Sequence, residues 1–541
     1  MRFLIFLFLF GCTHSIHDEQ KGVLRQFLNA PVSTLDPIKV KDEISRSQIV
    51  LTYQTLLKFK KTDTNYMLVP ELLQALPSVE QTKGTARFEL KKGILFHDDP
   101  CFKETNGRGR ELTIDDVIYM FERVKQSDKN LQNVIIKNIK ELKKINRYEF
   151  LVQLLPEADL NFNWLADPRF SIVPKEAVDF YQGDFEKHPV GTGSFRLNFK
   201  NSKMNSNMQW DVYPPTTHLD RLQGVQYLVE DSSQKQVKAF LNQEVDVIEL
   251  PFNQNESEWL TPSKELVLSK KKLGMVLTKK PFLDVTYEAF NLESPIFKDN
   301  VKLRQALSLA FDSGLVVKHF YGGRAIEASS LMPYMGGDFI SNPYAVFDLS
   351  KAKKFLAEAG YPNGEGLPEI NYAYYKNSDY LLYDGLTYPE FIKKSFSQIG
   401  VKVKLSDYNW NDYIKIVEQK KADMWNTVWV ANLPNEEVFF EMYYHSNQKN
   451  FQSETGFNSP EYNELFEKIN SIDKVKLNKL NHYNKMLKIL YESVPSIWIA
   501  HRLQYKIYLP RVKNVLDFDE YDSSWMQTVY IDPDKKREED K

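Results

Sequence analysis

Cys12 is the first residue whose surroundings spell out a chemistry: it closes Leu9-Phe10-Gly11-Cys12 at the end of an apolar run that follows Met1-Arg2. A thiol so placed can be diacylated, because the small Gly11 lets a signal peptidase reach the bond before Cys12. The run from Phe3 to Phe10 is far shorter than the roughly 20 apolar residues a spanning helix needs. One basic residue ahead of a brief apolar core suits a cleaved export signal. Lipid on Cys12 would then tether a soluble body to a membrane surface without a spanning helix. A second group, His97, Asp98, Asp99 and Cys101, carries metal-ligand chemistry by type. It sits in a Pro/Gly-bearing loop, where a surface turn or a core anchor is the simpler role. Asp115 and Asp116 could be an acid/base or metal pair, but they directly follow Thr113-Ile114. Neighbouring helical residues point to different faces, so capping explains them more cheaply.

Other site chemistry is absent. The chain has no Gly-rich loop ending in Gly-Lys-Ser/Thr, no Gly-x-Gly-x-x-Gly after a strand and no Gly-x-Ser-x-Gly elbow. Its nine histidines are scattered, and no cofactor or resident metal is expected. Gly191-Thr192-Gly193 leads into a strand-like Ser194-Phe195-Arg196-Leu197 and reads as a crossing point between lobes. The basic run Lys270-Lys271-Lys272, with Lys279-Lys280 after it, reads as a solvated face. Nothing here supports catalysis.

At 541 residues the chain exceeds the size of a single core, so it divides into lobes. The 70 basic and 72 acidic residues give a net charge of −2, without the excess that would neutralise phosphates, and nucleic acid is excluded as a partner. If Cys12 carries lipid, Cys101 is the other of only two cysteines, and the fold must stand without a disulfide. Aromatic residues make up 13%, enough both to fill cores and to line concave surfaces.

The elements alternate. Val23 to Leu28 reads as a strand broken by Asn29-Ala30-Pro31, Ile44 to Leu57 as a helix, and Lys58 to Asn65 as a polar turn. Ala86 to Leu90 alternates with the period of a half-buried strand. Val117, Met120, Phe121 and Val124 form a helical stripe capped by Thr113. Asp299 is expected to cap a helix through Leu303 and Leu307, and Ser350 one through Phe355 and Leu356 that Gly360 stops. A helix through Phe391, Ser395 and Ile399 ends at Gly400, and Val401 to Leu405 follows as a strand. Such alternation argues for mixed α/β lobes. The tail to Lys541 is charged throughout from Asp534 and is expected to be disordered.

Several stretches, in order along almost the whole chain, resemble the large extracellular solute-binding family that includes the oligopeptide- and dipeptide-binding proteins of ABC importers. They begin with Thr34-Leu35-Asp36-Pro37 and Val69-Pro70-Glu71-Leu72-Leu73. The family's signature region is matched by Phe88 to Asp98, then Leu112-Thr113-Ile114-Asp115-Asp116-Val117 and Arg123, its halves separated by an insertion around Cys101 to Arg110. Later pieces are Gly191 to Phe195, Ala289-Phe290-Asn291, Arg304 to Asp312, and Ala359-Gly360-Tyr361-Pro362. The resemblance implies an α/β, two-lobed periplasmic-binding-protein-like fold with a hinge and an extra domain on one lobe. The expected division is 1–11 signal, 12–22 tether, 23–57 with 190–284 and 500–532 lobe I, 58–189 extra domain, 285–499 lobe II and 533–541 charged tail.

In peptide-binding members the ligand lies beside a strand ending in Trp-x-Ala/Gly-Asp, whose aspartate pairs with the peptide's α-amino group. The strand similar to it is Thr427-Val428-Trp429-Val430-Ala431-Asn432, with asparagine where the aspartate is expected. A carboxylate on an ammonium contributes about 1.5 to 3 kcal/mol, and a neutral amide less. Glu436 and Glu437 follow shortly after, but the next acidic position of the family is Asn435. Trp410 resembles a second tryptophan near the cleft, and Val32 falls where the opposite lobe offers backbone groups. The resemblance therefore gives Val32, Trp410, Trp429, Val430, Ala431 and Asn432 as ligand-binding candidates.

The function implied is that of a monomeric, lipid-anchored substrate-binding component of an ABC importer, in the periplasm or on the outer face of the membrane. It would catch a peptide or similar extended polar ligand, hand it to an inner-membrane permease, and catalyse nothing. Three alternatives stay open: a nickel or chelate binder, for which His445 and His501 are candidates by position; delivery to a receptor or chaperone; and a periplasmic hydrolase.

Overall fold

The computed structural model describes residues 22–62, 66–127, 129–156, 158, 160–204, 206–214, 221–252, 256–333, 338–375, 383–445, 453–469, 479–515 and 528–532. The signal at 1–11, Cys12, nearly all of the tether and the tail at 533–541 lie outside the described residues, as does the side chain of Trp410.

The first lobe is built on a four-stranded sheet ordered Val23–Leu28, Gly224–Val229, Asn207–Val212, Phe195–Leu197, in which the first pair is parallel and the others antiparallel. Helix Glu43–Thr52 packs on it. Asp42 caps that helix by accepting the Ser45 N–H at 2.7 Å, and buried Gln48 accepts the Trp210 indole N–H at 2.8 Å. The helix stops at Thr52, short of the Leu57 expected from its apolar spacing. Leu57–Lys61 is instead a strand, hairpinned with Tyr66–Pro70, so the polar turn expected from Lys58 is a correction. Leu57 and Phe59 point inward while Lys58 and Lys60 do not, and this period-two pattern overrides local polarity.

The extra domain carries a second four-stranded sheet, Ser78–Glu80, Thr85–Glu89, Glu149–Leu154, Ile139–Lys144. Helix Ile114–Lys125 buries the stripe Val117, Met120, Phe121 and Val124. Thr113 and Asp116 form its capping box, and Asp116 also takes two hydrogen bonds from Arg110 at 2.7 and 2.9 Å. From the same helix Arg123 grips Asp36 through both carboxylate oxygens, at 2.8 and 3.0 Å. That pair ties the signature region to the Leu35-Asp36-Pro37 motif. Gly191 and Gly193 lie on the carbonyl end of helix Glu43–Thr52, where a Cβ on Gly191 would stand 2.1 Å from the Thr52 oxygen. The triplet thus joins the first lobe to the extra domain rather than crossing to the second lobe.

The largest sheet has eight strands, and its spine is the 13-residue strand Ser496–Tyr508. The beginning of that strand pairs with Asp284–Phe290 and Ala325–Glu327, and its end with Val247–Glu249 and Val276–Pro281. Met424–Val430, Ile370–Tyr375 and Val403–Tyr408 extend the sheet through the second lobe. Two helix caps differ from expectation. Asn300 rather than Asp299 caps Val301–Leu309, and Asp348 rather than Ser350 caps Leu349–Glu358; each side-chain oxygen accepts the N–H three residues on, the reach a cap requires.

Two consequences follow from buried charges. Arg123 and Asp36 side chains are only 11% and 4% exposed, so Arg123→Ala strands a carboxylate and should cost about 3 to 5 kcal/mol in urea unfolding; a loss below about 1 kcal/mol would deny the pair that role. Glu288 is fully buried, with Oε1 taking the Tyr388 hydroxyl and the Asn426 amide and Oε2 unpartnered; burial pushes its carboxyl up to about 7. A raised acid stabilises the fold while protonated, so its contribution is complete below the unfolded value near 4.3 and is lost as pH rises through about 7. Glu288→Gln should therefore flatten the pH dependence of unfolding in this range and leave the variant more stable than the parent at alkaline pH, by up to about 3 kcal/mol.

Candidate functional site

A cavity of about 360 Å³ lies where the first lobe, the extra domain and the second lobe meet. Gln26 to Asn29 form one wall, and Arg46, Ser47 and Val50 project from helix Glu43–Thr52. The extra domain adds Phe59, Glu71 and Pro168, the second lobe Asn432 to Pro434, and the long strand Arg502 and Gln504. No stretch of sequence contains the site. Only the fold assembles it.

Of the ligand-binding candidates whose side chains are described, Asn432 alone lines this cavity. Its amide nitrogen stands 3.3 Å from Asp167 Oδ2 and so bridges the second lobe to the extra domain. Asp167 is buried, and burial alone would push its carboxyl up. The Arg169 guanidinium and backbone N–H outweigh that and hold it below the usual carboxylate range. Ala431 is buried and donates its N–H to Leu283 at 2.8 Å. Trp429 and Val430 are half-buried and pair with Val285 and Asp284, and the Trp429 indole N–H is buried without a partner. Val32 is 3% exposed and packs in the core, the cavity wall from that segment being Gln26 to Asn29. Trp410 opens helix Trp410–Glu418. Strand Met424–Val430 meets Ile370–Tyr375 only at Met424 and Trp425, so among the described residues its edge from Asn426 to Val430 has no strand on that side.

Charged groups missed in the sequence define the rest. Glu71 accepts the Thr55 N–H at 2.9 Å and lies 3.1 Å from the Thr55 hydroxyl, and burial pushes its carboxyl up. Among the described residues no cationic side chain reaches it at ion-pair distance, although Lys58 lies near enough to act on it electrostatically. Arg46, half-buried in the first turn of its helix, makes no side-chain hydrogen bond or ion pair among the described residues. Arg502 is committed to fully buried Asp284. The signals for Glu71 were its place in the Val69-Pro70-Glu71-Leu72-Leu73 match and an acid inside the apolar run Leu68 to Leu73, and nothing marked Arg46.

The histidine clusters are structural. Burial pushes the His97 imidazole down to about 4, keeping it neutral, with Nε2 2.7 Å from the Gly193 carbonyl. Asp99 accepts the Cys101 N–H at 2.9 Å and the Tyr181 hydroxyl at 3.0 Å. His501 is wedged between the carbonyls of Asp284 and Ser330, and neither it nor His445 lines the cavity. Among the described residues no group of three His, Cys, Asp or Glu side chains could hold a metal, and no helix is long and apolar enough to cross a membrane.

Comparison with known proteins agrees with this architecture. The profile described as "Bacterial extracellular solute-binding proteins, family 5 Middle" matches residues 67–451. Heme-binding protein A of Haemophilus influenzae is 26% identical over 492 residues, covering 85% of this chain and 83% of that protein. The dipeptide-binding protein of Escherichia coli is 26% identical over 480 residues, covering 83% of each. Among solved structures, the Helicobacter pylori periplasmic binding protein DppA in complex with the peptide STSA superimposes with a TM-score of 0.76 at 22% identity, covering 95% of this chain and 98% of that one. The oligopeptide-binding protein AppA of Bacillus subtilis with a nonapeptide gives a TM-score of 0.73 at 18% identity, covering 95% and 99%.

Cys101 is 4% exposed, and burial, with Asp99 beside it, pushes its thiol well above the usual range. In a Cys12→Ser background it should resist a thiol reagent such as dithionitrobenzoate in native buffer and react fully after unfolding. Rapid native labelling would show that this loop opens.

Proposed function

Because this chain belongs to family 5 of the bacterial extracellular solute-binding proteins, whose members related to it include dipeptide-binding proteins, we propose that it captures a short peptide or similar extended polar ligand for an ABC importer. Capture works by closing two lobes on the guest. One observation carries this reading: the cavity takes its walls from the first lobe, the extra domain, the second lobe and the strand they share. A guest there touches every moving part, so its contacts favour the closed form.

The hinge is the pair of segments where the chain passes between lobes, around Phe282–Leu283 and His501–Arg502. The bare edge from Asn426 to Val430 suits a ligand main chain, since backbone groups hold any sequence alike. Lobe I comprises 23–57, 190–284 and 500–532, the extra domain 58–189 and lobe II 285–499. The protein acts as a monomer without catalysis, and lipid on Cys12 holds it at the outer face of the membrane. Neither His445 nor His501 lines the cavity, which favours a peptide over nickel or a chelate.

Asn432 makes its contact with Asp167 across the cleft, so it supports closure rather than any one end of the guest. Asn432→Ala should weaken trialanine and N-acetyl-trialanine equally in calorimetry, by up to about tenfold, the worth of a hydrogen bond to a charged group. Small-angle scattering should show the parent contracting on peptide addition and the variant contracting only at higher concentration. A parent that binds neither peptide, or binds without contracting, would refute the proposal.

A further inference from the structure

The run Lys270-Lys271-Lys272 is not an evenly solvated face. It forms the short helix Leu268–Lys272, which turns back at Gly274, where φ is +74°. Lys270 folds inward over the Trp259 ring at 4.3 Å, so that side of the helix meets the apolar cluster of Trp259, Leu260 and Leu266. The outer side carries two kinds of group at once. Leu268 is 66% exposed and Leu273 60%, and Lys271 and Lys272 stand exposed between them. Leu268, Lys271 and Lys272 share one helical face by their three- and four-residue spacing. Lys271 acts on Glu265 only at a distance, since that carboxylate is paired with Lys279. Bare leucines flanking lysines fit a surface that is anionic outside and apolar beneath, as a phospholipid layer is.

The place of this patch in the fold gives a second, separate argument. A Cβ on Gly274 would stand 3.2 Å from the Pro510 ring, so the turn rests on Pro510. On either side of that proline, Leu509 donates its N–H to the Asp246 carbonyl at 2.9 Å and Arg511 pairs with the Asp246 carboxylate. Asp246 in turn accepts the Arg25 N–H at 2.7 Å. Arg25 also donates to the Gln243 carbonyl at 2.9 Å, just beyond helix Ser233–Leu241, where Lys238 and Leu241 are exposed. Glu244 and Glu258 reach the surface at this end as well. The patch therefore lies where strand Val23–Leu28 begins and the tether joins the first lobe. The cavity is at the far end: Leu28 closes that strand, Phe282 follows strand Val276–Pro281, and both line the cavity wall. Resting on the lipid-anchored reading above, we propose that Leu268, Lys271, Lys272 and Leu273 form a contact face for an anionic phospholipid surface. It holds the cleft turned away from the bilayer in which Cys12 is anchored.

The test is sedimentation with vesicles of phosphatidylcholine alone or of equal parts phosphatidylcholine and phosphatidylglycerol. The protein is the processed chain, residues 12–541, carrying Cys12→Ser so that no acyl chain contributes. It should bind the mixed vesicles and not the neutral ones, and high salt should release it by screening the lysines. Lys271→Glu with Lys272→Glu should weaken that binding by about tenfold or more, and Leu268→Ser with Leu273→Ser by about tenfold. These side chains stand in solvent, so the urea midpoint of both variants should stay at the parent's. No binding to the mixed vesicles, equal binding to both vesicle types, or equal binding by the parent and both variants overturns the contact face. The anchor is read separately, by fractionating cells that express the parent with Cys12 intact. A chain absent from the membrane fraction there overturns the anchor on which the face rests.

Discussion

Every N–H and C=O of a buried strand must find a partner, and Ser496–Tyr508 meets that demand in both lobes at once. Because one strand is hydrogen-bonded to Asp284–Phe290 at its start and to Val276–Pro281 at its end, the halves cannot separate without breaking ladders. On the closure proposed above, they turn about the short stretch between. The Asp284–Arg502 pair, fully buried on its acidic side, and His501 between two carbonyls fill that stretch with polar groups that satisfy one another. On that proposal, a cavity beside this stretch would change shape as the lobes turn.

Asn432 is the point at which this chain parts from the pattern its family resemblance implies. An aspartate there would face Asp167 with like charge across the cleft. The amide instead donates to Asp167, which lets the lobes meet without a cation between them. Elsewhere on the wall Glu71 accepts from Thr55 with Lys58 near it, and Arg46 makes no side-chain hydrogen bond or ion pair among the described residues.

The parts of the fold legible in the sequence were those set by local rules. The Thr113 cap and the stripe from Val117 to Val124 describe helix Ile114–Lys125 as it stands, Val23–Leu28 is the strand expected, and the strand at Ala86 follows its alternation. Local rules failed where pairing decided, as at Leu57–Lys61, whose lysines mask a hairpin strand. The site was less legible than the fold. Asn432, which lines the cavity, belongs to a contiguous motif, whereas Glu71 and Arg46 lie far from it in sequence, and only tertiary packing places them about the same cavity and Asp167 against Asn432. Val32, placed by motif for its backbone groups, keeps its side chain in the core.

The most direct test of the proposed cleft that closes on a peptide guest is native mass spectrometry of the intact protein, as purified and after incubation with a peptide hydrolysate. The expected result is a retained adduct that is lost on unfolding and fragments into amino acids with free amino and carboxyl ends. A spectrum without an adduct under either condition, or an adduct that proves to be a metal complex, would contradict the account.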